Sequence, residues 1–318
     1  GITEFLNFHH IFISNMLKYT YHKERKCFMK LIDLHVHSTA SDGSLTPSQV
    51  VERAFQKKLT AIALTDHDTT SGIDEALSAA SSLPLELIPG IELSCLYKEK
   101  EIHILGLYLD HHDPALDKFL SEARKKREQR ILLILDAFQK DGFAITWEDL
   151  IGHHPDTAVT RAHFARALLK KGYVSSVDQA FRKYLNPECP YYRPRKMISP
   201  EESLNAIHAA GGFSVLAHPC LYRLGWEETE TLIAYLKELG MNGLECWHSS
   251  NTAEESRKLQ KLAKSCHLLP TGGSDFHGAA KPDIELGCGR GSLRVSALYL
   301  DDIKQAMGLL PSASDGIL

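Results

Sequence analysis

The sequence contains no C-x-x-C pair: Cys27, Cys95, Cys189, Cys220, Cys246, Cys266 and Cys288 all occur singly. That spacing disfavours a zinc ribbon, a thioredoxin-type redox motif and a disulfide framework, and points to a reducing, cytoplasmic setting. No apolar run reaches the roughly 20 residues that cross a bilayer. The longest near the N-terminus, Ile11 to Leu17, is broken by Ser14 and Asn15 and follows Glu4 instead of a basic stretch, so neither a membrane span nor a secretory signal is expected. Positive charge is not in excess, since 36 basic side chains face 40 acidic ones for a net −4, which disfavours gripping long duplexes by bulk charge. Low-complexity tracts are missing as well, and the 43% hydrophobic and 24% charged composition is that of a chain with a buried core.

Residues 1–28 show neither helical nor strand periodicity and stop just before Met29. They are expected to be a dispensable N-terminal extension. From Leu31 onward short apolar runs alternate with helical patterns, the arrangement of βα units around a mainly parallel sheet or barrel. Candidate strands are Ile32 to Val36, Ala61 to Thr65, Glu86 to Ile91, Ile102 to Leu109, Phe213 to Ala217, Gly243 to Trp247 and Leu268 to Thr271, with a last strand and helix within Ser292 to Met307. Seven main strands favour an α/β barrel. Capping boxes predict helix starts at Thr46/Gln49, Ser199/Glu202 and Thr252/Glu255, with Pro47 and Pro200 at the first helical position. Gly211 and Gly212 end the helix that begins at Pro200.

Between Asp113 and Met197 the strand signal vanishes, with Arg124 to Arg130 opening a long helix and Arg161 to Lys171 forming another. The domains are therefore expected as a barrel over 29–112 and 198–308, a helical insertion over 113–197 and a tail over 309–318. The stretch 113–200 holds 16 basic against 11 acidic side chains, a local +5 that leaves −9 for the rest. A basic lid over an acidic core suggests an anionic substrate near metal ions, although Arg124, Lys125, Lys126 and Arg127 equally suit a solvated helix face.

Imidazoles and carboxylates recur at the strand ends, where backbone position is fixed and side chains reach the cleft. Strand one ends in Asp33-Leu34-His35-Val36-His37, with alternation sending both histidines to one side, and Asp42 follows in the next turn. Later strand ends carry Asp66-His67-Asp68, Glu92, His103, His218, and Asp275-Phe276-His277. Any one of these histidines could be structural; their joint recurrence points to a metal cluster. His248 lies just past strand six, as a substrate contact or a structural hydrogen bond. The adjacent pairs His9/His10, His111/His112 and His153/His154 fall in loops or the N-terminal extension and are left out of the site, since neighbouring residues on a strand would point oppositely.

The runs D-L-H-V-H-S-T-A-S-D-G-S, L-T-D-H-D-T, G-I-E-L-S, A-G-G-F-S-V-L-A-H-P and G-G-S-D-F-H-G together resemble the PHP (polymerase and histidinol phosphatase) domain family from Met29 onward. The resemblance implies a distorted (β/α)7 barrel with a trinuclear metal centre. One ion would take His35, His37, Glu92 and Asp275, with Glu92 bridging to a second held with His103 and His218, and a third would take Asp42, His67 and His277. Glu92, His218 and Asp275 are then the catalytic candidates. The ligand chemistry suits Mn, Fe or Zn better than Ca, and Mn is expected.

The insertion, with Thr160-Arg161-Ala162-His163 and later Tyr191, Arg193, Arg195 and Lys196, resembles the subgroup of 3′,5′-nucleotide bisphosphate phosphatases and 5′-to-3′ exoribonucleases, except that Ala162 stands where that subgroup has Pro. The expected substrate is a nucleotide or short single-stranded RNA. No long duplex, membrane or obligate protein partner is expected. Arg161, Arg193, Arg195 and His248 are the substrate-binding candidates, although Arg161 could equally be a helix-capping arginine. Competing expectations are a histidinol phosphatase or other small phosphomonoesterase, a non-catalytic polymerase module, and a hydrolase of non-phosphate substrates.

Overall fold

A computed structural model of the chain describes residues 30–152, 159–193 and 198–310, except the side chain of Arg127. The expectations for residues 1–28, Arg195, Lys196 and most of the tail lie outside these residues. Eight strands form a single sheet: β1 (Leu31–Val36), β2 (Ala61–Leu64), β3 (Glu86–Tyr97), β4 (Lys100–Leu107), β5 (Phe213–Leu216), β6 (Gly243–His248), β7 (Leu269–Gly273) and β8 (Val295–Ser296). Their order is β7-β6-β5-β4-β3-β2-β1-β8. The helices are α1 (Pro47–Gln56), α2 (Ile73–Ala80), α3 (Pro114–Lys140), α4 (Trp147–Ile151), α5 (Arg161–Lys170), α6 (Val177–Ala180), α7 (Pro200–Ala209), α8 (Trp226–Glu238), α9 (Ala253–Ser265) and α10 (Leu298–Ala306).

β4 departs from a parallel barrel by running antiparallel to both β3 and β5. Only Lys98 and Glu99 separate β3 from β4, too few residues for the helical crossover that parallel neighbours require. The hairpin turns through Lys98, which adopts a positive φ of 53°. Because β4 is reversed, its beginning, not its end, lies beside the C-terminal ends of the parallel strands. The two-residue β8 pairs antiparallel with β1.

The barrel nearly closes where the chain leaving β7 meets β1. Asp275 N donates to His35 O at 2.9 Å, and His37 N donates to Phe276 O at 3.0 Å. Gly273 makes this approach possible: a Cβ there would stand 2.4 Å from His35 Cβ and 2.5 Å from His35 N. Ile32, Leu34, Ala63, Leu105, Phe213 and Val215 fill one buried cluster drawn from strands on both sides of the sheet.

The three capping boxes form as the spacing predicts, and Gly211, at φ 74°, turns the chain after α7. The long helix begins earlier than expected, at Pro114 instead of Arg124. Asp113 caps it by accepting from Leu116 N at 2.7 Å, with Pro114 in the first turn. This 27-residue α3 spans two cores. Leu116 and Leu120 join the barrel cluster, while Ile131, Ile134 and Phe138 enter a separate one with Phe164, Leu168 and Tyr191. There Phe138 stacks on Tyr191 with ring centroids 3.9 Å apart. Lys125 and Lys126 are exposed, in keeping with a solvated helix face. Among the described residues no helix is long and apolar enough to cross a membrane.

Candidate metal centre

The nine histidines and carboxylates singled out from the strand ends converge on one buried space. Glu92, on β3 and fully buried, lies at its middle: Oε1 is 2.9 Å from His103 Nδ1 and 2.9 Å from His218 Nε2. Its Oε2 is 3.1 Å from His67 Nδ1, 3.2 Å from His37 Nε2 and 3.4 Å from His35 Nε2. Asp275 Oδ1 approaches His37 Nε2 at 3.4 Å and His277 Nδ1 at 3.4 Å. On the far side Asp42 Oδ1 lies 3.1 Å from His277 Nε2, and Asp42 Oδ2 lies 3.9 Å from His67 Nε2. Four overlapping sets of donors result: His37/Asp42/His67/His277, His35/Glu92/His218, His35/His37/Asp275 and His67/Glu92/His103. His67 thus stands between Asp42 and Glu92, and His218 groups with His35 as well as facing the same Glu92 oxygen as His103.

Backbone geometry aims these groups. His218 and Asp275 have positive φ values of 28° and 58°, strained for non-glycine residues and held by the strand-end turns. His103 belongs to the ring because β4 is reversed.

Several polar atoms facing this space are buried without any hydrogen-bond partner: His35 Nε2, both ring nitrogens of His37, His67 Nδ1, His218 Nδ1 and Glu92 Oε2. Buried polar atoms are ordinarily satisfied, and this cluster of imidazole and carboxylate donors fits divalent ions of borderline hardness. The electrostatics agree. Burial would raise the Glu92 carboxyl, yet His67, His103 and His35 outweigh it and hold the group well below the usual carboxylate range. For Asp42, burial is likewise outweighed by His277 and His67. His103 shows the reciprocal effect, burial lowering its pKa while Glu92 and Glu101 lift it to about 9. His218 is instead held at about 4, because burial prevails over Glu92. The pocket therefore keeps Glu92 and Asp42 ionised.

Several supporting residues are absent from the strand-end reading. Glu245, fully buried on β6, places Oε1 3.0 Å from His35 Nδ1 and accepts the His218 backbone N–H at 2.6 Å. It holds the His35 tautomer whose Nε2 lone pair faces inward. A carboxylate inside the apolar run Gly243-Leu-Glu-Cys-Trp is the sequence signal that could have found it. Glu245→Gln is expected to weaken divalent-ion affinity by about 10–100-fold, measured by titrating Mn²⁺ into metal-free protein; unchanged affinity would show that Glu245 does not orient the ligand. Lys281 Nζ donates to Asp275 Oδ2 at 2.6 Å, with no local signal in the sequence. Asp66, already named at the end of strand two, is a scaffold residue, accepting from Ser38 N at 2.8 Å and from the Ser38 and Ser41 hydroxyls at 2.7 and 2.6 Å.

His248 turns toward the centre from β6. Its Nδ1 accepts from Ser250 N at 3.1 Å, so Nε2 carries the proton that faces Asp275 Oδ2 at 3.3 Å. The side chain braces Asp275 and has no free lone pair for an ion. His111 and His112 stand in a loop, as expected, with their side chains together instead of diverging. They lie in the turn after β4, with ring centroids 4.0 Å apart, and their Nε2 atoms meet Asp74 Oδ1 at 2.9 and 3.3 Å, away from the centre.

The centre opens into a cleft lined by Asp42, His67, Glu101 and His103 on the barrel side and by Arg130, Thr160 and Arg161 from the insertion. Thr160, which caps α5, donates to Asp42 Oδ2 at 3.4 Å, and Arg166 Nη1 donates to Asp42 O at 3.0 Å. Arg161 is held by Glu101 Oε2 at 3.0 Å and by Leu185 O at 3.3 Å. The Tyr192 ring lies 5.7 Å from its guanidinium and 5.3 Å from that of Arg130. Arg193 does not join them: its Nη1 donates to Pro190 O at 2.8 Å and Tyr192 O at 3.0 Å. Its carbonyl accepts from Arg130 Nε at 2.7 Å, which places in the cleft a guanidinium not singled out from the sequence; Arg195 and Lys196, the other candidates for a second phosphate-binding base, lie outside the described residues.

Comparison with known proteins agrees with this architecture. The sequence is 39% identical over 259 residues to the 5′-3′ exoribonuclease Rnm of Escherichia coli, covering 81% of this chain and 88% of that protein. It is 35% identical over 265 residues to a 3′,5′-nucleoside bisphosphate phosphatase of Chromobacterium violaceum, covering 81% and 91%. A Bifidobacterium adolescentis structure described as a metal-dependent phosphoesterase superposes with a TM-score of 0.78 at 31% identity, over 87% of this chain and 96% of that one. With residues 33–285 matching the PHP domain, and with the strand-end cluster that its runs supply, the chain belongs to the PHP domain family.

Proposed function

We propose that this chain is a metal-dependent phosphoesterase that removes the 3′-phosphate of nucleoside 3′,5′-bisphosphates and releases 5′-mononucleotides from short single-stranded RNA. The observation that carries this reading is the cleft itself, with a histidine and carboxylate cluster on one wall and Arg130 and Arg161 on the other. The two relatives named for RNA and for nucleoside bisphosphates support the same substrate class.

Three divalent ions, Mn foremost, would be held by His35, His37, Glu92 and Asp275, by Glu92, His103 and His218, and by Asp42, His67 and His277. When bound, such ions supply Lewis-acid neutralisation of phosphoryl charge and activation of water. Glu92 holds the centre together through both carboxylate oxygens. Lys281 and His248 fix Asp275 from behind by sharing its Oδ2. Arg161, pre-oriented by Glu101 and by the Tyr192 ring, is the clamp for a 5′-phosphate, because a planar guanidinium offers two parallel donors to phosphate oxygens. Anchoring that phosphate leaves the 3′ oxygen at the centre. A terminal 3′-phosphate then yields a nucleoside 5′-monophosphate and inorganic phosphate; a continuing chain yields a 5′-mononucleotide and a shortened RNA. The scattered free cysteines accord with a cytoplasmic enzyme.

The deciding experiment compares phosphate release from adenosine 3′,5′-bisphosphate, degradation of a 5′-phosphorylated RNA pentamer and hydrolysis of histidinol phosphate, each with added Mn²⁺. Turnover of the first two, abolished in Asp275→Ala, is the expected result. Activity confined to histidinol phosphate would overturn the nucleotide reading. Arg161→Ala is expected to raise KM for the bisphosphate about 10–100-fold with a smaller change in kcat, the loss of a charged hydrogen-bond pair of about 1.5–3 kcal/mol. Arg161→Lys should recover only part of it, and an unchanged KM would remove Arg161 from the clamp.

A further inference from the structure

Two adjoining cavities, of about 410 and 510 Å³, lie beside α9 and share Trp247, Arg257 and Gln260. The first begins at His248 and Ser249, on the β6 side of the metal centre, where His248 bonds Asp275. Arg257, Lys261 and Lys264 recur along one face of α9, and Arg290 and Arg294 also line the first cavity. No carboxylate lines either cavity, in a chain whose net charge is −4. Of the acidic groups around them, Glu254 pairs with Lys258 at 3.0 Å, whereas Asp283 pairs with Arg290 itself at 2.6 Å and offsets part of that wall's charge, which leaves the α9 cations as the main positive face. Beside these cations, Trp247 lines both cavities and Tyr299 the second, their half-buried rings 4.4 Å apart at 36°.

We propose that these cavities form a track for the downstream part of a single-stranded RNA whose 5′ end lies in the metal cleft. The inference rests on the exoribonuclease reading above and adds the surface that would distinguish an RNA from a mononucleotide. A cationic groove with aromatic faces is the chemistry that holds a single strand without base preference: the cations follow the phosphates, and bases stack on the rings. The placement fits as well. Arg161 and Arg130 hold the 5′ end on the β2–β4 side, so a chain continuing beyond the centre leaves on the β6 side, where His248 and Ser249 open into the first cavity. Clustered cations alone would suit an acidic protein; the rings lining the same cavities favour nucleic acid.

The test compares a 5′-phosphorylated diadenylate with a 5′-phosphorylated decaadenylate in the full chain with Mn²⁺. The wild type should show a lower KM for the decamer. In the double variant Arg257→Glu/Lys261→Glu the decamer KM should rise roughly tenfold, and the salt slope of decamer binding should fall by about 1.4, two single-strand phosphate contacts. Turnover of adenosine 3′,5′-bisphosphate should stay within about twofold, which also reports that the variant is folded. Lys264→Glu, at an exposed position lower on the track, should give a smaller change of the same sign. Equal KM for dimer and decamer in the wild type, or an unaltered length dependence in both variants, would overturn the track and leave the patch to an acidic protein surface. Loss of bisphosphate turnover in the wild type would instead overturn the reading of the active site.

Discussion

Glu92→Gln should leave a folded protein that hydrolyses adenosine 3′,5′-bisphosphate at least about 10³-fold more slowly at saturating substrate, on the order of 4 kcal/mol of lost transition-state stabilisation. The amide keeps the volume of the side chain and removes the charge. Three imidazole nitrogens face Oε2 within 3.4 Å, and two more face Oε1 at 2.9 Å, so this carboxylate offsets more of the cluster than any other donor. An uncharged group there can neither bridge two cations nor balance the neighbours that hold Glu92 ionised against its burial. Bound metal measured by elemental analysis should fall together with kcat. A variant with near-normal kcat and full metal content would show that Glu92 is a packing residue.

The second large effect concerns stability. Asp33→Ala is expected to lower unfolding free energy by about 3–5 kcal/mol, read as a shifted urea midpoint at constant m. Asp33 is fully buried on β1 and accepts from Ser274 N at 2.8 Å, Ser274 Oγ at 2.5 Å, Gly287 N at 2.8 Å and His35 N at 3.3 Å. It ties the first strand to the chain leaving β7 and to the loop beyond. Alanine would strand these donors in the interior, where each unsatisfied group costs about 1–3 kcal/mol. Burial raises the Asp33 carboxyl despite the Ser274 and Gly287 hydrogen bonds that pull it down, so the ionised form is held at a cost. Asp33→Asn, which keeps one acceptor and carries no charge, should therefore lose less than alanine. A change below about 1 kcal/mol for Asp33→Ala would refute the tie.

How far the site could be read from sequence depended on the kind of interaction. All nine donors were visible because each stands at a strand end beside a local pattern, as in H-x-H, T-D-H and S-D-F-H. His248 was visible but its role was open, since only the Ser250 and Asp275 contacts show which nitrogen carries the proton. Arg193 was singled out as a candidate, but its guanidinium bonds carbonyls of its own turn, whereas Arg130, 63 residues earlier and without a local signal, lines the cleft. Glu245 and Lys281 were missed. One is hidden in an apolar strand, and the other acts across a loop that carries no motif.

The sequence by itself determined the elements and their chemistry: capping boxes start the helices, apolar runs make the strands, and imidazoles and carboxylates stand at the strand ends. These are short-range effects, settled by hydrogen bonds and periodicities within a few residues. Only the tertiary structure decided that β4 runs backward and so adds His103 to the ring, that Glu245 orients His35 across 210 positions, and that α3 joins two separate cores. Those outcomes arise from packing between segments far apart in the chain, where the direction of a strand or the partner of a carboxylate depends on which surfaces close around it.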